Sequence, residues 1–531
     1  MQNNTIRNIL APIVLALVLA GGIYIGARVL PGQQTQQSAS NTQSSKVQAL
    51  FNLIQENYVD AVSTDSLERI AVPVILEELD PHSVYISPEQ MKSVNEEMTG
   101  QFEGIGVQFN MSKDTVLVIS TISGGPSEKV GILPGDRIVT INDSVFAGKN
   151  ISTDEIMKNL KGPKGTIVKV GIKRNGIPEL IHFEITRDKI PLYSVDVSYM
   201  IEDKIGYIKI NRFSETTYDE FREAAVKLLD QGMEKMILDL RQNGGGLLGS
   251  AVYIADEFLK KGKMIVYIEG QARKRQNYIA KISGICENTE LAVMIDTWSA
   301  SASEIVAGAI QDNDRGIIVG RRSFGKGLVQ EPFTFRNGGV IRLTTARYYT
   351  PVGRSIQKPY DKGLEEYMHD IGNRMKSGEL TDEDKTNFPD SLKYTTKGGK
   401  TVYGGGGIMP DIFVPIDTTH YSTYYQKLTN SGHIYQFALN YADKNRATLN
   451  AIEDAESISQ YLRKQNVLKK FTDFASEKGI KYDTEGFKQS EFQLRVFLHA
   501  LIARNILDSE GFYPLISKTD EELQRALEEL R

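Results

Sequence analysis

The apolar pattern divides the chain before any single residue is considered. Ile9 to Ile25 is an apolar run broken only by Pro12 and two glycines, with Arg7 before it and Arg28 after it. With its flanks it is long enough to span a bilayer. It reads as an uncleaved anchor over residues 1–30. A cleaved signal peptide is the competing reading, opposed by the length of the run and the lack of a small-x-small cleavage site. Either reading sends the body out of the cytoplasm. The expected location is the cell envelope, anchored in the inner membrane with the body in the periplasm. Residues 31–46 are rich in Gln, Ser, Asn and Thr and lack apolar periodicity, as a flexible tether does. Over 47–98, Leu50, Phe51, Ile54, Val59, Ile70, Val74, Ile75 and Leu79 recur at helical spacing. Asp80-Pro81-His82-Ser83 stops the second helix of this arm.

Residues 99–187 change to strand-like alternation. A glycine turn, Gly104-Ile105-Gly106-Val107, runs into one strand, and Val116 to Ile119 form another. Leu133-Pro134-Gly135-Asp136 turns into a third, and Ser152 to Leu160 read as a short helix. Val168 to Lys173 and Leu180 to Thr186 flank the turn Asn175-Gly176. In this order the segments resemble a circularly permuted bacterial PDZ domain. The resemblance implies that a peptide adds to the sheet as an extra strand while amides of the Gly104, Ile105, Gly106 and Val107 loop hold its terminal carboxylate. Gly104 and Gly106 permit close backbone approach to an anion. A plain β-domain with a glycine hairpin is the alternative.

From 188 to 417 strands alternate with helices, the pattern of an α/β layer fold. Ile205 to Ile210, Lys235 to Leu240, Leu291 to Asp296 and Gly316 to Gly320 read as strands. Three of the loops that follow are rich in glycine, serine and charge: Arg241 to Gly246, Trp298 to Glu304, and Arg321 to Gly327. A charged stretch over 360–399 interrupts this region as a lid or surface insertion. Residues 418–531 read as mainly helical, with apolar positions such as Tyr435, Phe471, Phe497 and Leu501. They suit a structural cap or an oligomerisation unit and hold no catalytic constellation.

Composition narrows the function. The 62 basic and 67 acidic residues leave a net charge of −5, so no basic footprint for nucleic acid exists. Cys286 stands alone, which excludes an intrachain disulfide and a cysteine zinc cluster. No cofactor or metal is expected. Gly320 to Lys326 matches most of a phosphate-binding loop, but Gly327 stands where Ser or Thr should bind magnesium and a strand follows.

Ser301 sits at a strand-to-helix junction, where unpaired helix amides and the dipole favour developing negative charge. It is the candidate nucleophile, with the Ala302 amide and the Gly245–Gly246 turn as the candidate oxyanion hole. None of the six histidines falls in a strand-end loop, which disfavours a Ser-His-Asp triad. Lys326 is the candidate base, provided desolvation keeps it neutral. Gln330, four residues on, is placed to orient its amine, and Glu304 shares a helix face with Ser301. Each piece alone has a bland reading: Ser301 and Glu304 as a capping box, Lys326 as a solvated loop lysine, the glycines as a tight turn.

Together, Asp239-Leu-Arg-x-Asn-x-Gly-Gly246, Ser299-Ala-Ser-Ala-Ser-Glu304 and Gly325-Lys-Gly-x-x-Gln330 resemble the carboxy-terminal processing peptidases, Ser–Lys serine proteases. Gly405-Gly-Gly-Ile-Met-Pro-Asp411 looks like that family's closing motif, and Leu79 to Ser83 matches its helical arm. The resemblance selects Ser301 over Ser299 and Ser303. It implies an α/β fold: a ClpP/crotonase-like protease core with an inserted β-rich PDZ domain, an N-terminal helical arm and a C-terminal helical domain. It further implies a peptidase that binds the free C-terminal tails of proteins, with Arg187 as a hinge residue sensing bound peptide. A homo-oligomer and an adaptor protein are left open. Two rival readings stand: a non-catalytic PDZ scaffold on a dead hydrolase core, and a crotonase-like acyl-CoA enzyme.

Overall fold

A computed structural model of the chain describes residues 45–112, 115–149, 151–336, 338–386 and 388–531. The expected anchor and nearly all of the tether lie outside them. Among the described residues no helix is long and apolar enough to cross a membrane. Residues up to Ile75 and residues from Leu76 onward form separate units. The first holds α1 (Lys46–Asn57), N-capped by the Ser45 hydroxyl, and most of α2 (Thr64–Glu77). Leu50, Leu53, Ile70 and Val74 on these helices are exposed.

The second unit opens with β1 (Val84–Ile86) and α3 (Pro88–Thr99), the latter started by a Ser87–Gln90 capping box and ended by left-handed Gly100. The apolar spacing predicts helix throughout this arm. Strand β1 interrupts it because Val84, Tyr85 and Ile86 pair with residues 340–342, far along the chain. Then β2 (Gln101–Gly104) leads into β3 (Val107–Ser112), β4 (Thr115–Thr121), α4 (Pro126–Lys129), β5 (Arg137–Ile141), β6 (Ser144–Val145), α5 (Thr153–Leu160), β7 (Ile167–Lys173) and β8 (Ile181–Thr186). β9 (Asp188–Pro191) returns antiparallel to β2, so this domain is inserted on a two-stranded stalk. Its sheet runs β3-β4-β5-β7-β8, which leaves β3 at an edge. Val118, Ile138, Val168, Ile172 and Ile185 form its dry core with Ile156 of α5.

The main body contains β10 (Val195–Glu202), β11 (Ile205–Ile210), α6 (Thr217–Asp230), β12 (Lys235–Asp239), α7 (Leu248–Asp256), β13 (Met264–Glu269) and β14 (Gln276–Ile279). It continues through β15 (Glu290–Ile295), α8 (Ala302–Asp312), β16 (Ile317–Gly320), β17 (Leu328–Thr334), β18 (Val340–Tyr349), α9 (Leu364–Ser377), β19 (Lys393–Thr395), β20 (Thr401–Tyr403) and β21 (Ile412–Phe413). The central sheet has the order β10-β11-β12-β15-β16-β21 and is parallel from β11 onward. A parallel sheet must be covered on both faces. Met236 and Leu238 share one core with Phe221, Ile254 and Ile310 of α6, α7 and α8, while Ile237 belongs to the opposite one. A second, antiparallel sheet joins β1, β18, β13 and β14, with β17 beside β18.

The C-terminal region comprises α10 (Thr423–Asn430), α11 (His433–Lys444), α12 (Arg446–Leu449), α13 (Ala455–Lys464), α14 (Val467–Glu477), α15 (Thr484–Ile516) and α16 (Glu521–Leu530). Helices α10 to α15 pack around Leu428, Ile434, Ile458, Phe471 and Leu498. Helix α16 leaves them: Leu523, Leu527 and Leu530 cover the open face of the central sheet against Tyr207, Ile237 and Met294.

Candidate active site

The turn between β15 and α8 separates its three serines by burial. The Ser299 hydroxyl donates to Leu240 O at 2.8 Å and accepts from the Asp296 N–H. The Ser303 hydroxyl donates to Asn243 O at 2.9 Å. Both residues are fully buried, so these serines weld the turn to the neighbouring loop. Ser301 is the one left partly exposed, and it sits at φ 55°, ψ −111°. A non-glycine residue held there stores strain, on the order of 1–3 kcal/mol, and such strain is typical of sites where geometry serves chemistry.

Glu304, completely buried, joins this turn to the lysine loop. Its Oε2 accepts from Ser301 N–H at 2.8 Å and Lys326 N–H at 2.9 Å. Its Oε1 accepts from Gly325 N–H at 2.7 Å and from the Ser323 hydroxyl. Burial pushes its carboxyl up to about 7, against the pull of those four donors. Its contacts are to backbone and to Ser323, so it holds the two loops together. Tyr348 on β18 adds a second tie, its hydroxyl lying 2.6 Å from Lys326 O and 3.2 Å from Ser301 O. Burial and then the Arg342 guanidinium hold the Lys326 ammonium below its ordinary pKa, opposed by Glu304 and Asp80.

Gly245 packs against the Ser301 turn so closely that a Cβ there would meet Ser301 Cβ at 2.7 Å and Ala302 N at 2.9 Å. Gly245 and Gly246 adopt φ 98° and 145°, which side chains resist. Of the expected oxyanion donors, the Gly245 N–H is already given to Asn243 Oδ1 at 2.8 Å. That Asn243 side chain also donates to Ile210 O, which fixes the loop in this form. The Ala302 and Gly246 amides remain as the donors without a partner among the described residues.

The sequence reading expects Gln330 to orient the lysine. Instead a shift in the β17–β18 pairing sets Gln330 opposite Thr344, and its Nε2 donates to Thr344 Oγ1 at 3.2 Å. Thr344 in turn donates to Asp80 Oδ1 at 3.1 Å. Asp80 and His82 were missed as site residues. Asp80 also accepts from the His82 and Ser83 amides, and His82 Nε2 lies 2.8 Å from the Tyr367 hydroxyl. Burial, then the charge of Lys326, lowers His82 to about 4, so the ring is neutral beside the lysine. The available signal was the sequence Asp80-Pro-His-Ser83, but its place beside Lys326 depends on the β1–β18 pairing.

The 360–399 insertion braces the lysine loop. Buried Arg374 of α9 donates to Arg322 O at 2.7 Å and Ser323 O at 3.1 Å, and Glu379 pairs with both Arg322 and Arg374. Opposite it, Glu522 of α16 pairs with Arg241 at the head of the glycine loop and with Arg321 at the head of the lysine loop.

The PDZ-like elements form a separate site. Ile105 is buried, its carbonyl accepting from the Ser127 amide and hydroxyl, and Gly106 has φ 72°. These residues and Gly104 lead into Val107 and the open edge of β3. Arg187 donates to Leu160 O at 3.0 Å and Asn159 O at 2.8 Å, tying the end of α5 to the stalk. Among the described residues one group has metal-ligand spacing, Asp417, His420 and Glu521, of which the last two are exposed.

Comparison with known proteins agrees with this layout. A family described as Peptidase family S41 matches residues 204–366, and PDZ domain matches 104–185. Residues 17–90 match the Activating protease CtpB N-terminal domain, and residues 424–508 match a family of unknown function. A "Carboxy-terminal-processing protease" of Bartonella bacilliformis is 34% identical over 349 residues, which is 64% of this chain and 80% of that one. A "Probable CtpA-like serine protease" of Staphylococcus aureus is 32% identical over 357 residues, 66% of this chain and 69% of that one. Among solved structures, the photosystem II D1 C-terminal processing protease is 28% identical with a TM-score of 0.34, covering 58% of this chain and 89% of that chain. The PDZ domain of a carboxy-terminal protease from Vibrio cholerae, solved with a peptide, is 31% identical with a TM-score of 0.16, covering 17% of this chain and 99% of that chain.

Proposed function

Because this chain belongs to the carboxy-terminal-processing serine peptidases of family S41, we propose that it holds protein tails on its PDZ domain and cleaves them with Ser301 as nucleophile and Lys326 as base. One observation carries the reading. Glu304 and Tyr348 each bond to both the Ser301 and the Lys326 backbone, so two distant loops are held as one constellation. Neutral Lys326 takes the Ser301 proton as Oγ attacks the amide carbonyl. The Ala302 and Gly246 amides donate to the oxyanion. The lysine returns its proton to the leaving amine. Water then attacks the acyl ester and gives a proton to Lys326, which returns it to Ser301 Oγ as the acyl–oxygen bond breaks and the acid leaves.

The substrate class is an unstructured tail with a free carboxylate, added to β3 as a strand. The Ile9–Ile25 run supports an anchored body outside the cytoplasm. In a tail-cleavage assay Ser301→Ala and Lys326→Ala each cut turnover by about a thousandfold or more. Wild-type-like turnover in either folded variant contradicts the assignment.

A further inference from the structure

Between the PDZ sheet and the C-terminal helices lies a cavity of about 600 Å³. Leu117 and Ile119 of β4 form its floor, and Tyr435, Leu439 and Leu501 of α11 and α15 form its far wall. It reaches the open edge of the sheet, where Gln108 and Asn110 line it. Strand residues alternate between faces. Val107, Phe109 and Met111 pack against the PDZ core, so by alternation Gln108 and Asn110 take the other face; all but Val107 also line this cavity at the strand edge.

We propose that the cavity is a subsite for the substrate tail, taking an apolar side chain from the third residue before the terminal one. The inference rests on the reading that a tail adds to β3. With its carboxylate at the Gly104–Val107 loop, such a tail has its upstream part toward Met111 and therefore runs antiparallel to β3. If the terminal residue stands opposite Val107, the third residue before it stands opposite Asn110. Residues paired across a strand boundary project to the same face, so that side chain leaves the α5 side and enters the cavity. Its apolar floor and wall favour Leu, Ile, Val or Phe over Ser, which buries far less apolar surface there, while Arg137, Arg504 and Asp508 also line the cavity and would meet a charged residue. The C-terminal helices thus take part in choosing the tail.

The test uses the full chain carrying Ser301→Ala and fluorescent decapeptides read by anisotropy. One peptide has Leu and one has Ser at the third position before the terminal residue. A third repeats the Leu peptide with its C-terminus amidated. The Leu acid binds about tenfold more tightly than the Ser acid. Adding Tyr435→Ala reduces that ratio to below about twofold and leaves the Ser peptide unchanged. Tyr435 is 54% exposed, so the substitution spares the fold. Equal Kd for Leu and Ser, with binding lost on amidation, overturns the subsite and leaves the tail reading standing. Equal Kd for acid and amide overturns both.

Discussion

Lys326 works as a base only without its proton, and its neighbours pull in opposite directions. Arg342 disfavours the ammonium, while Glu304 and Asp80 favour it. Burial leads, and the folded-state pKa is lowered, so the neutral fraction grows as pH rises through that lowered value. Activity therefore climbs toward alkaline pH. Below about 7 Glu304 also takes up a proton and loses an acceptor for its four donors, which steepens the acid-side loss. Arg342→Met removes a cation that opposes the ammonium, raises the lysine pKa and shifts the rising limb of the kcat profile to higher pH. A limb that stays put or moves to lower pH contradicts this balance. Glu304→Gln turns an amide nitrogen toward amide donors and lowers kcat by about tenfold to a hundredfold with KM little changed. At this scale the sequence was readable where function was local. The serine and lysine loops stood out by their strand-end positions, and the family resemblance singled out Ser301 and Lys326 within them. The roles of Asp80, His82 and Tyr367 were not readable, because each arrives from a segment that a long-range pairing brings in.

The insertion is an element with a mechanical task. Its charge pattern suggested a lid or surface insertion, yet α9 buries Tyr367 and Arg374 and grips the lysine loop through two carbonyls. Arg374→Met leaves those carbonyls unpaired in a buried setting, at about 1–3 kcal/mol each. It lowers both Tm and kcat, and Lys at this position rescues poorly because it lacks the planar fork. An Arg374→Met enzyme with normal kcat shows the brace to be dispensable. Tyr348→Phe removes only the hydroxyl that ties the two loops and reduces kcat about tenfold in steady-state assays. The strands β11, β12, β15 and β16 were legible because buried parallel strands read as continuous apolar runs. β13, β14 and β18 were not singled out, although β18 carries Tyr348 and Thr344.

At the scale of the molecule, the last helix belongs to the catalytic body. α16 covers the second face of the central sheet, and Glu522 links the heads of the glycine and lysine loops. Glu522→Gln leaves two partly buried guanidiniums short of a charge, so unfolding occurs at lower temperature and kcat falls together with it. The same variant with unchanged Tm and kcat removes α16 from the account. The sequence assigned this segment to a helical cap because amphipathicity shows that a face is buried, not which partner buries it. The central claim is that the fold unites Ser301 with a neutral Lys326. Covalent trapping with a fluorophosphonate, located by peptide mass spectrometry, tests it most directly. The adduct falls on Ser301, forms faster as pH rises and is nearly lost in folded Lys326→Ala. An adduct on another residue, or equal labelling without Lys326, contradicts the claim.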